Sequence, residues 1–298
     1  MSAREAKNWI THRYFRTYSI ASELARIANN PDFHELEHLF IEDGVLEFTP
    51  NWKKDTLVHK FARWIADEKF INDTSGPYVV EYMQSESGSI YTKRFLPVDL
   101  CMTAYGFDSE PFEVPPPDGD MVEIRPKVSE WRESSKVADA CYEYMLNDLR
   151  LSQIYHDLLA RIADEVFHVV FINRVLMARL NEIISMKVRE IGPETVEEYG
   201  GDAANFLRGG FRLKRTAPPA WVRRAVFHRE KGRCALCRAN LSPVLSSIPG
   251  YQFDHIVPIS HGGLNDLTNM QLLCESCNKS KSNSSSATSP IYQKWYAE

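Results

Sequence analysis

Apolar residues recur at helical spacing through most of the first two hundred positions. From Ser2 to Asn29 there is no proline or glycine, and Ile10, Tyr14, Tyr18, Leu24 and Ile27 repeat at roughly one turn. This predicts an amphipathic helix ended by Asn29-Asn30-Pro31. A second helix is expected from Pro31-Asp32 and a third over about residues 55–70. The period then changes. Residues 78–83 and 90–95 are β-rich runs separated by Ser-Glu-Ser-Gly, the pattern of a hairpin. Residues 111–126, with Pro115, Pro116 and Pro117 in succession, cannot be helical and read as a connector.

Residues 128–191 contain neither glycine nor proline, and apolar positions 158, 162, 166, 169, 172, 176, 180 and 183 step by threes and fours. One very long helix is predicted, or two joined near Asn147-Asp148. A helix of that length packs on a partner, so a homodimer through it and an internal bundle are both open. Gly192-Pro193, Gly200-Gly201 and Gly209-Gly210 then mark a hinge. After Pro218-Pro219, residues 220–231 regain helical spacing and Gly232 supplies the stop. The pattern divides the chain into a helical and mixed region over 1–127 with its hairpin near 78–95, a long helical, coiled-coil-like segment over 128–191, a linker over 192–217, and a small domain over 218–298.

Charge sharpens this division. Residues 207–298 carry 13 Lys+Arg against 5 Asp+Glu, whereas residues 1–206 carry 22 against 35. A basic module joined to an acidic one points to a polyanion met by the C-terminal part alone. The most apolar window, residues 166–176, is too short for a bilayer and contains Asn173 and Arg174, so no membrane span is expected. Four of the six cysteines form two Cys-x-x-Cys pairs and the N-terminus lacks the order of a signal peptide, which favours a reducing cytoplasm over a disulfide framework.

Those pairs are Cys234/Cys237 and Cys274/Cys277. Each can present two thiolates from a tight turn, and together they make a tetrahedral site for structural Zn²⁺. Such an ion contributes on the order of 10–16 kcal/mol, which a small Ser-, Asn- and Gly-rich module with little apolar core requires. Between the pairs, residues 251–253 suit a short strand ending at Asp254-His255, His261-Gly262-Gly263 turns the chain, residues 270–273 suit a returning strand, and residues 275–281 a short helix. A ββα hairpin of this kind brings positions 254, 255, 269 and 278 towards one another.

The segment resembles the HNH, or ββα-metal, endonuclease family in its four-cysteine form. The matching residues are Arg-Glu-Lys-Gly-Arg-Cys-Ala-Leu-Cys at 229–237, Asp-His-Ile-Val-Pro at 254–258, Gly-Gly at 262–263, Asn269 with Gln-Leu-Leu-Cys at 271–274, and Cys277-Asn278 with Lys281. They span about residues 218–282, little more than a fifth of the chain. The expected class is therefore α+β, a mainly helical N-terminal domain with one β-hairpin and a small zinc-stabilised ββα-metal domain.

The resemblance implies Asp254 and Asn278 as ligands of one catalytic divalent metal, His255 as the general base, and Asn269 as the residue that orients the His255 ring. Asn278 stands where the family name has histidine. Oxygen ligands favour Mg²⁺ or Mn²⁺ at that site, and an imidazole with an ordinary pKa near ~6.5 can accept a proton at neutral pH. Arg208, Arg212, Lys214, Arg215, Arg223, Arg224, Lys279 and Lys281 are candidates for the phosphate backbone of DNA, with RNA not set apart. The implied activity is metal-dependent hydrolysis of phosphodiesters, with the helical N-terminal domain left for assembly, a protein partner or regulation, as in restriction or antiviral systems. A non-catalytic zinc-stabilised nucleic-acid-binding or adaptor protein is the competing class.

Overall fold

A computed structural model of the chain describes residues 7, 9–31, 36, 44–118, 120–125, 128–132, 135–198, 202–206, 212–242, 250–283 and 285–292. A π-helical turn over Ile10–Tyr14 leads into α1 (Phe15–Asn29), and α2 (Leu57–Asn72) follows a 3-10 turn at Leu46–Phe48. The helix expected from Pro31 falls mostly outside the described residues. β1 (Val79–Gln84) and β2 (Ile90–Phe95) form the expected antiparallel hairpin, in the register Val79↔Phe95 to Gln84↔Ile90. α3 (Pro97–Tyr105) comes next, closed by the left-handed Gly106.

Two expectations about the middle of the chain fail. β3 (Asp120–Arg125) and β4 (Val128–Arg132) form a further antiparallel hairpin where a connector and the start of the long helix were predicted. Absence of glycine and proline permits a helix without demanding one, and Val122-Glu123-Ile124-Arg125 alternates apolar and polar residues with the period of a strand. The remainder of 128–191 is not one helix either. α4 (Ser135–Glu143) passes into a π-helical turn at Tyr144–Leu149, and α5 (Gln153–Val170) and α6 (Arg174–Val188) are separate.

The breaks come from capping side chains. Ser152 Oγ accepts from Tyr155 N at 3.3 Å, and Asn173 Oδ1 accepts from Leu176 N at 3.0 Å, each starting a new helix. The longest of these helices has 18 residues, so the helix on which the dimer expectation stood is absent from the described residues. Beyond it lie α7 (Pro193–Glu198), α8 (Ala220–Arg229), the antiparallel pair β5 (Tyr251–His255) and β6 (Met270–Cys274), and α9 (Glu275–Lys281). The C-terminal ββα order is the expected one.

The chain forms two compact units that are discontinuous in sequence: residues 1–20 with 62–165, and residues 21–61 with 166–298. In the first, Leu96, Cys101, Met102, Met145, Tyr155, Leu158 and Ile162 are buried, and Glu165 accepts from Arg13 Nη2 at 2.6 Å and Tyr105 Oη at 2.8 Å. The second holds the C-terminal module. Residues 21–61 group with it, a connection that a consecutive division into 1–127, 128–191, 192–217 and 218–298 does not express.

Inside the second unit, aromatic stacking and a buried ionic node bring helices to the module. Phe167 near the end of α5 stacks on His59 and on Phe171, at 4.6 and 4.7 Å between ring centroids. Arg229 at the end of α8 lies over the Phe171 ring at 4.7 Å. Its Nε donates to Glu230 Oε1 at 2.9 Å, while Arg174 at the start of α6 pairs with Glu230 Oε2 and donates to Ser289 O at 3.1 Å. Arg174, Arg229 and Glu230 side chains are at most 2% exposed. Removing one member of such a set strands the others in low dielectric. Glu230→Ala should therefore cost about 3–5 kcal/mol, read from the urea midpoint of the full chain; a loss below ~1 kcal/mol would show the node to be dispensable.

Candidate functional site

Both cysteine pairs stand on turns. Cys234 O accepts from Arg238 N and Cys234 N donates to Ala239 O, both at 2.9 Å, with Arg238 in the left-handed region at φ +67°. Ala235 N donates to Leu272 O at 2.8 Å, which ties this first turn to β6. The second pair opens α9, with Cys274 at its N-cap. All four sulfurs lie within 4.8 Å of one another, and Cys237 Sγ is 3.7 Å from Cys274 Sγ. That is far beyond a disulfide and close to the ~3.8 Å edge of a tetrahedron with ~2.3 Å Zn–S bonds. The set fits structural zinc. No other group of three or more His, Cys, Asp or Glu side chains converges this way among the described residues.

β5 carries Asp254 and His255 opposite Gln271 and Met270 of β6. Gln271 Nε2 donates across the hairpin to Asp254 Oδ2 at 3.2 Å. α9 returns over β5, and Lys281 at its end donates to His255 O at 2.8 Å and pairs with Asp254 Oδ2 at 3.0 Å. Asp254, His255 and Ser260 line a cavity of about 290 Å³ with Arg212, Arg215 and Asn283. Gln271 and Lys281 meet Asp254 on the same oxygen, Oδ2. Ser260 Oγ in the cavity and Gln271 Oε1 beside Asp254 are buried without a hydrogen-bond partner among the described residues. Oxygen donors of this kind fit a hard divalent cation.

His255 is 3% exposed, with the Trp52 ring 6.0 Å from its own. Burial, and then the positive charge of Arg215, push its pKa down to about 4, so the ring is neutral at pH 7. Its side-chain partner is Asn265, whose Oδ1 lies 3.2 Å from Nε2. This corrects the role expected of Asn269. Asn269 Oδ1 accepts from Val257 N at 2.8 Å, and its Nδ2 donates to Val257 O and Leu264 O at 3.0 and 2.9 Å. It staples the loop between the strands, with both amide hydrogens committed to backbone carbonyls.

The same loop is held from outside. Gly262, at φ +83°, passes so close to α6 that a Cβ there would lie 2.4 Å from Ser185 O, and one on Gly263 would lie 2.0 Å from Val257 O. Asp266 accepts from Thr268 N at 2.8 Å and from Leu57 N, the start of α2, at 3.2 Å. Asn181 of α6 donates to Thr268 Oγ1 at 3.0 Å.

Among the other expected residues, Asn278 is half-buried on α9 and is not one of those lining the cavity. Lys281 is corrected from a phosphate contact to an internal cation, its side chain 1% exposed. Lys279 is exposed and pairs with Glu275 one turn earlier, at 2.5 Å. Arg212, Lys214 and Arg215 are exposed, two of them at the cavity. Arg223 and Arg224 line a separate cleft with Phe227, His228, Tyr251 and Phe253. Arg208 lies outside the described residues. Sequence reasoning missed Asn265, Asn51 and Trp52. Only the first had a local signal, an Asn-Asp pair inside the motif.

A family model described as HNH endonuclease matches residues 234–284. The match takes in both cysteine pairs, β5, β6 and α9, and it supports a nuclease-type or nucleic-acid-binding role for this module. No curated protein and no solved structure matches the chain.

Because the four thiolates converge, Cys274→Ser should abolish zinc binding and the cooperative melting of the module. Metal content and a thermal melt of the variant check this; a zinc-free protein that melts like the wild type would contradict it.

Proposed function

We propose that the C-terminal module is a divalent-metal-dependent endonuclease that hydrolyses phosphodiester bonds in DNA. Support comes above all from one observation: Arg212 and Arg215 line the same cavity as Asp254 and His255. Two guanidiniums are suited to hold a phosphodiester by charge-assisted hydrogen bonds, next to an acid and a neutral imidazole. In this reading His255 takes the proton from the attacking water, and Arg212 and Arg215 stabilise the charge that develops on the phosphoryl oxygens. Asp254 and Asn278 would hold Mg²⁺ or Mn²⁺, which when bound supplies charge neutralisation at the phosphate and at the departing 3′ oxygen. The products are 5′-phosphate and 3′-hydroxyl ends. Exposed Lys214, Arg223, Arg224 and Lys279 extend the binding surface to neighbouring phosphates, largely without sequence preference.

Residues 1–206 supply assembly, partner binding or restraint in the same reading. An unrestrained nuclease damages its host, which suits a restriction or antiviral setting. The Lys281–Asp254 pair favours a second reading, in which a protein ammonium already neutralises the acid and the module binds nucleic acid without cutting it.

Plasmid DNA and a matched RNA, incubated with the full chain and Mg²⁺ or Mn²⁺ beside an EDTA control, separate the two. Metal-dependent nicking that is lost in His255→Ala with zinc content unchanged is the expected result. Binding that is unaffected by His255→Ala and never followed by cleavage would establish the second reading. Arg212→Ala/Arg215→Ala should weaken DNA binding and flatten the slope of log K against log salt by about 0.9 for each phosphate that is no longer neutralised.

A further inference from the structure

We propose that Asn265 fixes the tautomer of His255, and that Asn51 and Trp52 hold Asn265 in place; its catalytic meaning rests on the nuclease reading above. Asn265 Nδ2 donates to Asn51 Oδ1 at 2.6 Å and to Lys214 O at 2.7 Å. Asn51 is 214 positions upstream in sequence. A backbone carbonyl can only accept, so the amide nitrogen must face Lys214 and the amide oxygen must face the other way. Thr216 N, which can only donate, approaches that oxygen at 3.4 Å and gives the same orientation.

His255 Nε2 stands 3.2 Å from the same oxygen. Two acceptors cannot share a hydrogen bond, so Nε2 carries the proton and Nδ1 keeps the lone pair. Asn265 thereby decides which ring nitrogen can receive a proton from water. It is a positioning residue, acting through His255.

The upstream segment closes the arrangement. Trp52 N donates to Asn265 O at 2.8 Å, and Trp52 Nε1 donates to Thr216 Oγ1 at 2.8 Å. Asn51 Nδ2 donates in turn to Asn205 Oδ1 at 2.6 Å. Trp52 makes its contacts from the left-handed region, at φ +52°. That conformation is costly for a bulky residue and persists only where the surroundings over-determine it. Asn265 is 2% exposed, so each amide group it presents must be met within the protein.

The test uses the full chain labelled with ¹⁵N-histidine, long-range ¹H–¹⁵N spectra at pH 7.5 without added divalent metal, and steady-state cleavage with Mn²⁺ over a range of DNA concentrations. Wild type should show His255 as the Nε2–H tautomer. Asn265→Ala should mix the tautomers and lower kcat by about 10–100-fold with KM changed less than about twofold. Asn51→Ala should do the same more weakly, about tenfold in kcat, and Asn51→Asp, which keeps the acceptor for Asn265, should recover most of both losses.

An Nδ1–H tautomer in the wild type, or an unchanged tautomer in Asn265→Ala, overturns the role of Asn265. An Asn51→Ala protein indistinguishable from wild type in tautomer and kcat overturns the upstream hold. If Asn265→Ala loses zinc or its near-UV spectrum, the Asn51→Ala and Asn51→Asp pair decides in its place. Should the wild type cut no nucleic acid, the nuclease reading falls and the spectra still decide the tautomer.

Discussion

A buried polar loop cannot satisfy its own hydrogen bonds, and that constraint governs the module. The connection from β5 to β6 contains Asn265, Asp266, Thr268 and Asn269, each at most 8% exposed. Every unpaired amide or hydroxyl there costs about 1–3 kcal/mol. Asn269 meets part of the demand from within the loop. The rest is met from α6 through Asn181, from the start of α2 through Leu57 N, and from residues 51, 52, 214 and 216. This explains why residues 21–61 and 166–298 form one compact unit, and why a fragment beginning near residue 207 lacks groups on which the loop depends.

The zinc site and the loop constrain opposite ends of the same hairpin. At one end the thiolates join the turn after α8 to the junction of β6 and α9, where Tyr251 pairs with Cys274. At the other, Asn265 and Trp52 surround His255, which pairs with Met270. Neither clamp makes the other redundant. An imidazole orientation good to a fraction of an ångström needs its supporting hydrogen bonds as well as a fixed backbone.

Lys281 links these constraints to the chemistry. Its ammonium joins α9 to β5 through His255 O and neutralises one oxygen of Asp254, which allows a carboxylate to sit in a half-buried position. A divalent ion using Asp254 meets that ammonium nearby, since Lys281 and Gln271 both approach the Oδ2 oxygen. Arg212 and Arg215 enter the cavity from the segment before α8, on the other side of the sequence from the loop. The positive charge counted along residues 207–298 is thus divided between groups that face solvent and groups that build the interior.

Whatever short-range spacing encodes was legible along the chain. Two Cys-x-x-Cys turns, an Asp-His pair at a strand end, a glycine turn and a helix start are local, and so the ββα order, the zinc set and the hairpin of β1 and β2 could all be read in advance. Absence of glycine and proline misled over residues 128–191, because Ser152 and Asn173 end and restart helices through their side chains, and a short strand such as β4 also contains no breaker. Tertiary structure alone decided that Asn265 rather than Asn269 meets His255, that Lys281 is internal, and that Asn51 and Trp52 belong to the site. Each of these depends on which groups, tens or hundreds of positions apart, satisfy one another once water is excluded, and no periodicity in the chain records that pairing.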